Sequence, residues 1–362
     1  MGISLSMDNK NNMSVKIKAV ARALPEFYSK TADIFPFLDV WLRDQDERFI
    51  RKVKKIFEGA AVDKRYAIMS PEQVFSDLSF EARNDIYIKE GIKLGRQCLE
   101  KALEKASWKP EDLDYIITVS CTGIMIPSLD AYLINALQLR QDIVRLPVTE
   151  MGCAAGVSGL IYAKNFLKAN PGKRAAVIAV ESPTATFQLN DFSMANIISA
   201  AIFGDGASCA LLSSCPEESG PEVVAEEMYH FYDAEQMMGF KLTNTGLQMV
   251  LDVAVPDTIE SHFPQIIHPF LAKHHLEIKD IDYLVFHPGG KKIIQVVEEL
   301  FGSFGKNLNE TKAVLQDFGN MSSATVLYVL EDVMNKQPKA GSTGLMLSFG
   351  PGFSAQRILL KW

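Results

Sequence analysis

The second half of this chain repeats the first, and this duplication limits the folds that the sequence can adopt. Residues 114–117 (Asp-Tyr-Ile-Ile) return at 282–285 as Asp-Tyr-Leu-Val, an offset of 282 − 114 = 168. Residues 151–153 (Met-Gly-Cys) return at 318–320 as Phe-Gly-Asn, an offset of 320 − 153 = 167. Two matches at nearly one offset indicate an internal repeat that is much longer than the repeats of solenoid proteins.

Each half reads as alternating strands and helices. Apolar runs at 115–119 and 175–180 predict buried strands, and apolar residues spaced along one face from 86 to 106 predict a helix. The sequence therefore predicts an α/β layered core. Its halves are expected at residues 14–215 and 222–362, after a disordered tail over residues 1–13. Equivalent turns of two duplicated halves should meet, so Cys153 and Asn320 should face each other, each at a helix start.

Composition narrows the class of protein. With 362 residues, of which 48% are hydrophobic, the chain can bury a large core. A net charge of −7 disfavours a nucleic-acid partner, and no apolar run reaches the roughly 18 residues that a membrane span needs. The five cysteines lack the spacing of metal ligands, and no secretory leader is recognised, which predicts a cytoplasmic protein without a metal site.

Cys153 lies between small residues, at the point where the end of a predicted strand meets a long apolar helix. If the helix begins at Cys153, its free N–H groups and the positive end of its dipole would stabilise a thiolate, the reactive form of cysteine. The alternative is a small buried hydrophobic residue. The cysteine alone leaves both interpretations open.

A histidine and an asparagine are the candidate partners of this thiol. His287 follows the apolar strand 283–286 and precedes Pro-Gly-Gly, at a strand end where α/β proteins form their sites. Asn320 precedes a helix and could be an ordinary N-cap, but its equivalence to Cys153 in the repeat favours a site. Together, Cys153, His287 and Asn320 predict acyl transfer. The cysteine would be the thiolate nucleophile, and an imidazolium beside it would lower the pKa of the thiol further. The imidazole and amide N–H groups would stabilise a carbonyl oxygen that becomes negative.

Five motifs together resemble the type III polyketide synthases, the chalcone-synthase-like family. They are Gly-Cys at 152–153, Phe-Gly-Asp-Gly-Ala at 203–207, His-Pro-Gly-Gly at 287–290, Gly-Asn-Met-Ser-Ser-Ala at 319–324 and Gly-Pro-Gly-Phe at 350–353. The resemblance extends from about Lys64 to the C-terminus. It implies a thiolase-like, five-layered αβαβα fold made of two duplicated halves, and a homodimer.

The resemblance also implies a reaction. Cys153 would take a starter acyl group from CoA, while His287 and Asn320 would bind the thioester carbonyl of malonyl-CoA and stabilise the enolate left by decarboxylation. Iterative condensation and cyclisation would then give a pyrone or a phenolic product. The substrates would be CoA thioesters, the starter and malonyl-CoA, and neither a metal nor a redox cofactor would be required.

Positions around the triad are implied in the same way. The gatekeepers of the cavity would be Phe203 and Met249, the latter standing where many plant members carry a phenylalanine. The substrate pocket would be formed by Cys121, Thr186, Ser322 and, reaching across the dimer, Ile126. The CoA phosphates would be bound by the basic residues Lys55, Lys64 and Arg65.

Three other functions remain open at this point. A ketoacyl synthase III would have a similar fold and triad, although its histidine loop reads differently. A cysteine hydrolase is possible because papain-like proteases carry Cys, His and Asn in this chain order, but here no aromatic residue follows the cysteine. A catalytically silent binding protein could have kept the fold, although the intact triad argues against it.

Overall fold

The computed structural model describes residues 14–362, so the tail predicted for residues 1–13 lies outside the described residues. Over 14–362 the chain forms 13 β-strands and 11 α-helices. None of the helices in this part of the chain is long and apolar enough to cross a membrane.

The strands and helices follow one another along both halves. The strands are β1 (Lys16–Ala23), β2 (Phe27–Lys30), β3 (Lys64–Ala67), β4 (Tyr115–Val119), β5 (Val144–Val148), β6 (Arg174–Glu181), β7 (Gly206–Ser213), β8 (Glu222–His230), β9 (Met238–Thr243), β10 (Gly246–Leu251), β11 (Tyr283–Phe286), β12 (Thr343–Gly350) and β13 (Ser354–Lys361). The α-helices are α1 (Thr31–Trp41), α2 (Glu47–Gly59), α3 (Pro71–Val74), α4 (Phe80–Ala106), α5 (Leu129–Leu137), α6 (Ala155–Ala169), α7 (Met194–Ile202), α8 (Val255–Ala272), α9 (Lys291–Gly302), α10 (Asn309–Phe318) and α11 (Thr325–Asn335). The strands predicted at 115–119 and 175–180 and the helix predicted at 86–106 are confirmed as β4, β6 and α4.

Nine strands form the main sheet, and each half contributes a contiguous set. The order is β5-β4-β6-β7-β1 in the first half, continued by β8-β13-β12-β11 in the second. The two sets meet where Lys16 of β1 pairs with Glu222 of β8. β4 runs parallel to β5 and β6, and β11 runs parallel to β12, so both halves carry the parallel pairing that the apolar runs predicted.

Two buried helices lie between the strands of the two halves. α6 packs against β4 and β6 of the first half and against β12 and β13 of the second, while α11 packs against β1, β7 and β11. The outer face of the first half is covered by α4 and α5, and that of the second by α8 and α9. The strands of the two halves, which belong to one sheet, therefore lie on either side of the central helices, and with the outer helices they make the five predicted layers.

Alternating side chains of each strand build separate cores on its two faces. In β4, Ile116 belongs to the outer core under α4, whereas Ile117 belongs to the central core around α6 and α11. In β12, Leu347 faces the outer core and Met346 the central one. Strands buried on both faces need apolar residues at every position, which explains why the strands read as unbroken apolar runs.

The equivalent turns of the two halves meet in the central layer. Each turn is a short 3₁₀ segment, Gly152–Ala154 before α6 and Ser322–Ala324 before α11. A Cβ atom at Gly156 would lie 2.3 Å from the carbonyl oxygen of Ser323, so only glycine allows α6 to approach the second turn this closely. The first half's cysteine turn is thereby held against the second half.

The structural register of the repeat differs from the register read from the sequence. The two turns begin at the left-handed residues Gly152 (φ 50°) and Ser322 (φ 47°), an offset of 322 − 152 = 170, so Cys153 is equivalent to Ser323. The prediction that Asn320 lies at a helix start equivalent to that of Cys153 is wrong. Gly319, which resembles Gly152 in sequence, instead ends α10 at φ 72°, and Asn320 lies in the connection that follows.

Candidate active site

One cavity of about 670 Å³ brings the three predicted reactive residues together. Its walls include Cys153 from the turn before α6, His287 from the end of β11 and Asn320 from the connection after α10. The backbone of Asn320 bridges to that of Phe203, and both of these residues line the cavity. Residues from both halves of the chain therefore contribute to one site, as the duplication predicted.

The turn that carries Cys153 is fixed by its neighbours. The carbonyl oxygen of Cys153 accepts a hydrogen bond of 2.7 Å from the hydroxyl of Ser348 on β12. Gly152 has a φ of 50°, and a Cβ atom there would come within 2.6 Å of Pro351. The thiol itself donates to the hydroxyl of Ser322 across 3.6 Å. These contacts aim the sulfur at the cavity from a rigid turn.

Burial favours the protonated thiol of Cys153 in the free protein. Only 8% of the residue is exposed, and burial raises the pKa of the thiol to about 12, while the hydrogen bond to Ser322 opposes this shift only in part. Burial therefore disfavours the predicted thiolate in the unliganded state, and the thiolate stays a prediction. The two halves close around the turn and remove the water that would stabilise a negative charge, an effect that a local sequence motif does not show.

Alkylation should report this protonation state. Cys153 lines the cavity whereas Cys98 is fully buried on α4, and burial raises the pKa of both thiols to about 12. We expect iodoacetamide to modify Cys153 faster than Cys98 because of access, at a rate that still rises with pH above 9. Peptide mass spectrometry across pH 6–10 measures both rates. A fast, pH-independent rate at Cys153 from pH 6 upward would show a thiolate instead.

His287 is buried in the cavity wall with both ring nitrogens available, and burial favours its neutral form. The residue is 3% exposed, and neither Nδ1 nor Nε2 has a hydrogen-bond partner among residues 14–362. Burial lowers the pKa of its side chain to about 3, which disfavours the predicted imidazolium. A neutral ring offers one N–H donor and one acceptor. Unpaired buried nitrogens in a cavity wall indicate that a ligand completes their hydrogen bonds.

The amide of Asn320 is oriented by its own backbone turn. Its Oδ1 accepts the N–H of Ser322 at 2.8 Å, whereas its Nδ2 donates only a long bond of 3.4 Å to the carbonyl oxygen of Gly289. The main-chain N–H of Asn320 donates to the carbonyl oxygen of Ile202 at 2.8 Å. An amide nitrogen carries two protons, so at least one N–H of Asn320 remains for a ligand.

A second thiol and a buried carboxyl group lie beside the triad. The sulfur of Cys121 lies 3.4 Å from the same Ser322 hydroxyl that Cys153 contacts. Both Cys121 and Ser322, which were predicted in the substrate pocket, line the main cavity. Glu181, at the end of β6, accepts the N–H of Cys121 at 3.0 Å and the hydroxyl of Thr122 at 2.8 Å. Burial raises the pKa of its carboxyl group. Glu181 was not predicted, although it gives a signal in the sequence as an acidic residue that ends an otherwise apolar strand.

The predicted gatekeepers separate two cavities. Phe203 and Met249 line both the main cavity and a smaller one of about 80 Å³. Thr186, predicted in the substrate pocket, lines only the smaller cavity. The pocket that the resemblance implied is therefore divided in the free protein.

Arg65 is not available for the phosphates of CoA at an entrance. Only 5% of the residue is exposed, and its guanidinium donates to the carbonyl oxygen of Ala200 at 2.6 Å and to the hydroxyl of Thr31 at 3.0 Å. Burial lowers the pKa of this guanidinium to about 10. The prediction for Arg65 is wrong because a run of basic residues in the sequence does not reveal which of them turns inward.

The other two predicted CoA ligands are accessible to different degrees. The Nζ atom of Lys64 lies 3.7 Å from Oδ1 of Asp317, and the lysine side chain in this ion pair is partly exposed. Lys55 is exposed on α2, next to Ile56, which lines the main cavity. Of the predicted cations, Lys55 is the one best placed beside the cavity, and its role stays a prediction.

Two lysines outside the predicted CoA ligands also lie at the main cavity. Lys291 and Lys292 are exposed at the start of α9 and line the main cavity, and Lys292 also pairs with Asp257 at 3.3 Å. The available signal was their position directly after the His-Pro-Gly-Gly loop. Ile126, in contrast, is 90% exposed and lines neither of the two cavities described above.

Acid should destabilise the protein through His287. The unfolded chain takes up a proton at the ordinary histidine pKa of 6.5, whereas the folded protein does so only near 3. Acidification from pH 6.5 to 5 therefore favours unfolding by about 2 kcal/mol through this residue. Urea unfolding should show this loss in the wild type and not in His287→Asn.

Asp205, whose pKa burial raises to about 7, acts in the opposite direction but is common to both proteins. Equal pH slopes would contradict the assignment.

Comparison with known proteins agrees with this geometry. The sequence profile of chalcone and stilbene synthases matches residues 4–216 with its N-terminal domain and residues 223–362 with its C-terminal domain. The 1,3,6,8-tetrahydroxynaphthalene synthase of Streptomyces peucetius subsp. caesius is 32% identical over 352 residues, which is 96% of this chain and 93% of that protein. Phloroglucinol synthase of Pseudomonas fluorescens is 27% identical over 309 residues, covering 85% of this chain and 88% of that protein.

A solved structure extends the similarity to the whole fold. The crystal structure of 1,3,6,8-tetrahydroxynaphthalene synthase from Streptomyces coelicolor A3(2), a bacterial type III polyketide synthase, matches with a TM-score of 0.89 at 26% identity. The match covers 96% of this chain and 99% of that one, which confirms the predicted fold class. This chain therefore belongs to the chalcone and stilbene synthase family and is a type III polyketide synthase, an enzyme that transfers acyl groups.

Proposed function

We propose that the enzyme loads an acyl group from a CoA thioester onto Cys153 and extends it by decarboxylative condensation with malonyl-CoA. One observation carries the proposal: a single cavity is lined by a thiol, an imidazole whose two nitrogens have no hydrogen-bond partner among residues 14–362, and an amide with a free N–H. These are the nucleophile, proton acceptor and oxyanion donors that thioester chemistry needs.

Loading begins from the neutral pair. As the sulfur of Cys153 attacks the starter thioester carbonyl, its proton passes to the neutral imidazole of His287. The new carbon–sulfur bond forms, the bond to the CoA sulfur breaks, and the CoA thiolate takes the proton from His287. Burial favours this order, because it keeps both side chains uncharged until the substrate has entered.

Decarboxylation uses the donors of the second half. When the bond to the malonyl carboxylate breaks, CO₂ leaves and its electron pair moves into the thioester, which becomes an enolate. The N–H groups of His287 and Asn320 donate to the oxygen where this charge develops. Fixed donors in a site shielded from water stabilise such an oxyanion more than water does.

Condensation then joins the two substrates. The enolate carbon attacks the thioester carbonyl on Cys153, a carbon–carbon bond forms, and the Cys153 thiolate leaves. The thiolate can take back the lengthened chain from CoA, so the cycle repeats until cyclisation gives a pyrone or phenolic ring. Relatives that are named as synthases of tetrahydroxynaphthalene and phloroglucinol support a phenolic outcome. The proposed reaction uses CoA thioesters alone and needs no added cofactor.

We further propose a cytoplasmic homodimer that pairs through the edge of the main sheet. β5 is the last strand of that sheet in the first half, and its Val144 is exposed. An edge strand with apolar exposed residues is suited to pairing with another chain. Ile126 is exposed as a residue that reaches into a partner would be. The five free cysteines agree with a reducing compartment.

The proposed activity can be tested with the purified protein. Malonyl-CoA and a panel of acyl-CoA starters should give CO₂, free CoA and pyrones or phenolic rings detectable by mass spectrometry. Cys153→Ala should give no such product from the same mixtures. If the wild type neither releases CO₂ nor forms product with any starter, the proposed function is wrong.

A further inference from the structure

We infer that one face of α2 is a docking surface for an acidic carrier protein, which presents an acyl group on the same phosphopantetheine arm that CoA carries. The inference rests on the proposed function, because it names a second donor for the loading of Cys153. The docking face is a basic stripe formed by Arg48, Arg51, Lys52 and Lys55.

The spacing of the basic stripe places its side chains on one side of the helix. Positions 48, 51, 52 and 55 follow the i, i+3, i+4, i+7 pattern of neighbours on a helix surface. All four residues are exposed. Arg51 pairs with Glu47 at 3.0 Å, whereas no ion pair within residues 14–362 involves the other three. Most of the positive charge of the stripe is therefore not neutralised by neighbouring carboxylates.

The basic stripe leads to the main cavity. Gly59, one turn beyond Lys55, is exposed and lines that cavity together with Ile56. Two more cations, Lys291 and Lys292, line the cavity from the start of α9. A thioester on a flexible arm can therefore enter the cavity while the protein that carries it rests on α2.

CoA alone does not account for the whole stripe. Its negative charges are the phosphates of one nucleotide, and the cations beside the cavity are Lys55, Lys291 and Lys292. Arg48 lies 55 − 48 = 7 residues before Lys55, which places it about 10 Å farther from the cavity along the helix axis. A partner that uses the full stripe needs a negative surface that extends along α2, which a folded acidic protein provides.

The charge of the remaining chain restricts an acidic partner to this position. The net charge is −7, so the chain as a whole repels an acidic protein. In α2, however, five lysines and arginines stand against two glutamates. An acidic partner is therefore attracted at the stripe and repelled elsewhere, which selects both where it binds and how it is oriented.

A lipid surface is less well supported as the partner of the stripe. The apolar residues of α2 turn inward: Val53 and Phe57 are buried, and Phe49, Ile50 and Ile56 pack against the same core. The exposed face of α2 therefore has no apolar side chain to insert among lipid tails, which helices at a membrane surface need. Binding to anionic vesicles is treated as an outcome of the test.

Transfer from the carrier uses the same steps as loading from CoA. The sulfur of Cys153 attacks the carbonyl carbon of the carrier thioester, and its proton passes to His287. The bond between the acyl carbon and the pantetheine sulfur breaks, and that sulfur takes the proton from His287. The products are acylated Cys153 and a carrier with a free thiol, so the step needs no further reactant.

Loading of Cys153 from two donors provides the test. Linear acyl groups from acetyl to octanoyl are offered on CoA or on a purified fatty-acid carrier protein, without malonyl-CoA, and intact-mass spectrometry measures the acylation rate. The double variant Arg48→Glu/Arg51→Glu should slow loading from the carrier by about tenfold or more at low ionic strength, because it reverses the charge that attracts the partner. Loading from CoA should stay within about twofold of the wild type.

A double variant on another helix is the matched control. Lys89→Glu/Lys93→Glu makes the same change of charge at two exposed lysines of α4, a helix that lines neither of the two cavities. It should load from both donors within about twofold of the wild type. The substitutions in α2 place acidic residues near the N-terminus of that helix, where the helix dipole stabilises them, so the variant should fold.

A loss that is confined to the carrier donor and to the α2 variant supports the inference. A wild-type enzyme that loads from CoA but not from the carrier would overturn it, as would unchanged carrier loading in the α2 variant or an equal loss in the α4 control. An equal loss with both donors in the α2 variant would assign the stripe to the nucleotide of CoA instead.

Vesicles of phosphatidylglycerol and phosphatidylcholine test the lipid alternative. If the wild type binds them, the α2 variant does not, and both load equally from the carrier, the stripe is a lipid-binding surface and the inference is wrong. In all these cases loading from CoA identifies a working site. Failure of both donors to acylate Cys153 would refute the proposed function itself.

Discussion

Replacing Asn320 by alanine should lower the rate of malonyl-CoA decarboxylation by about 10²–10³-fold, the effect that removal of one oxyanion donor typically has. The side chain is fixed on one side, because its Oδ1 accepts the N–H of Ser322 at 2.8 Å, while its Nδ2 makes only one long bond. The loss should therefore fall on the step in which the enolate oxygen becomes charged. Release of CO₂ from malonyl-CoA without a starter measures this step.

Two variants distinguish the loss of the amide donor from misfolding as the cause of a lower decarboxylation rate. Asn320→Asp keeps an oxygen for the Ser322 N–H but lacks the amide donor, and should lose at least as much activity as Asn320→Ala. Asn309→Ala makes the same replacement at an exposed residue that begins α10, and should decarboxylate within about twofold of the wild type. A wild-type rate in Asn320→Ala would remove the assigned role.

Replacing Cys153 by alanine should lower product formation by about 10⁴-fold or more, because the covalent intermediate can no longer form. The same variant should still decarboxylate malonyl-CoA, since the proposed donors for that step belong to His287 and Asn320. Product formation and CO₂ release, measured in the same reaction, separate the two roles. A parallel loss of both activities in a folded variant would contradict this division.

Cys121 provides the matched control for the thiol. Its sulfur lies 3.4 Å from the Ser322 hydroxyl, compared with 3.6 Å for the sulfur of Cys153, and it lines the same cavity. Burial raises the pKa of both thiols. We expect Cys121→Ala to change the rate or the products while keeping covalent loading. If Cys121→Ala abolished loading and Cys153→Ala did not, the nucleophile would be misassigned.

Much of the fold was predictable because burial leaves a direct trace in the sequence. β4 and β6 are buried on both faces, so their unbroken apolar runs predicted them as strands. The repeat around residues 114 and 282 indicated two duplicated halves. The alignment of the two halves residue by residue was harder to predict. Gly152 and Gly319 match in sequence, but one begins a turn before a helix and the other ends α10. Glycine permits both conformations, so the match alone could not separate them.

The positions of the candidate site were more predictable than its electrostatics. Motifs at strand ends predicted that Cys153, His287 and Asn320 would lie together, and they line one cavity. The pKa values of the cysteine and the histidine depend on how much water the remaining chain excludes, which local patterns do not contain. Arg65 shows the same limit, since its inward direction depends on contacts with distant residues such as Ala200.

The most direct test is to locate the acyl group on the wild-type enzyme. Incubation with an acyl-CoA starter in the absence of malonyl-CoA should add one acyl group per chain, which intact-mass spectrometry measures and peptide mapping assigns. We expect this group on Cys153. An acyl group on Cys121 or on any other residue, or no acylation with any starter, would contradict it.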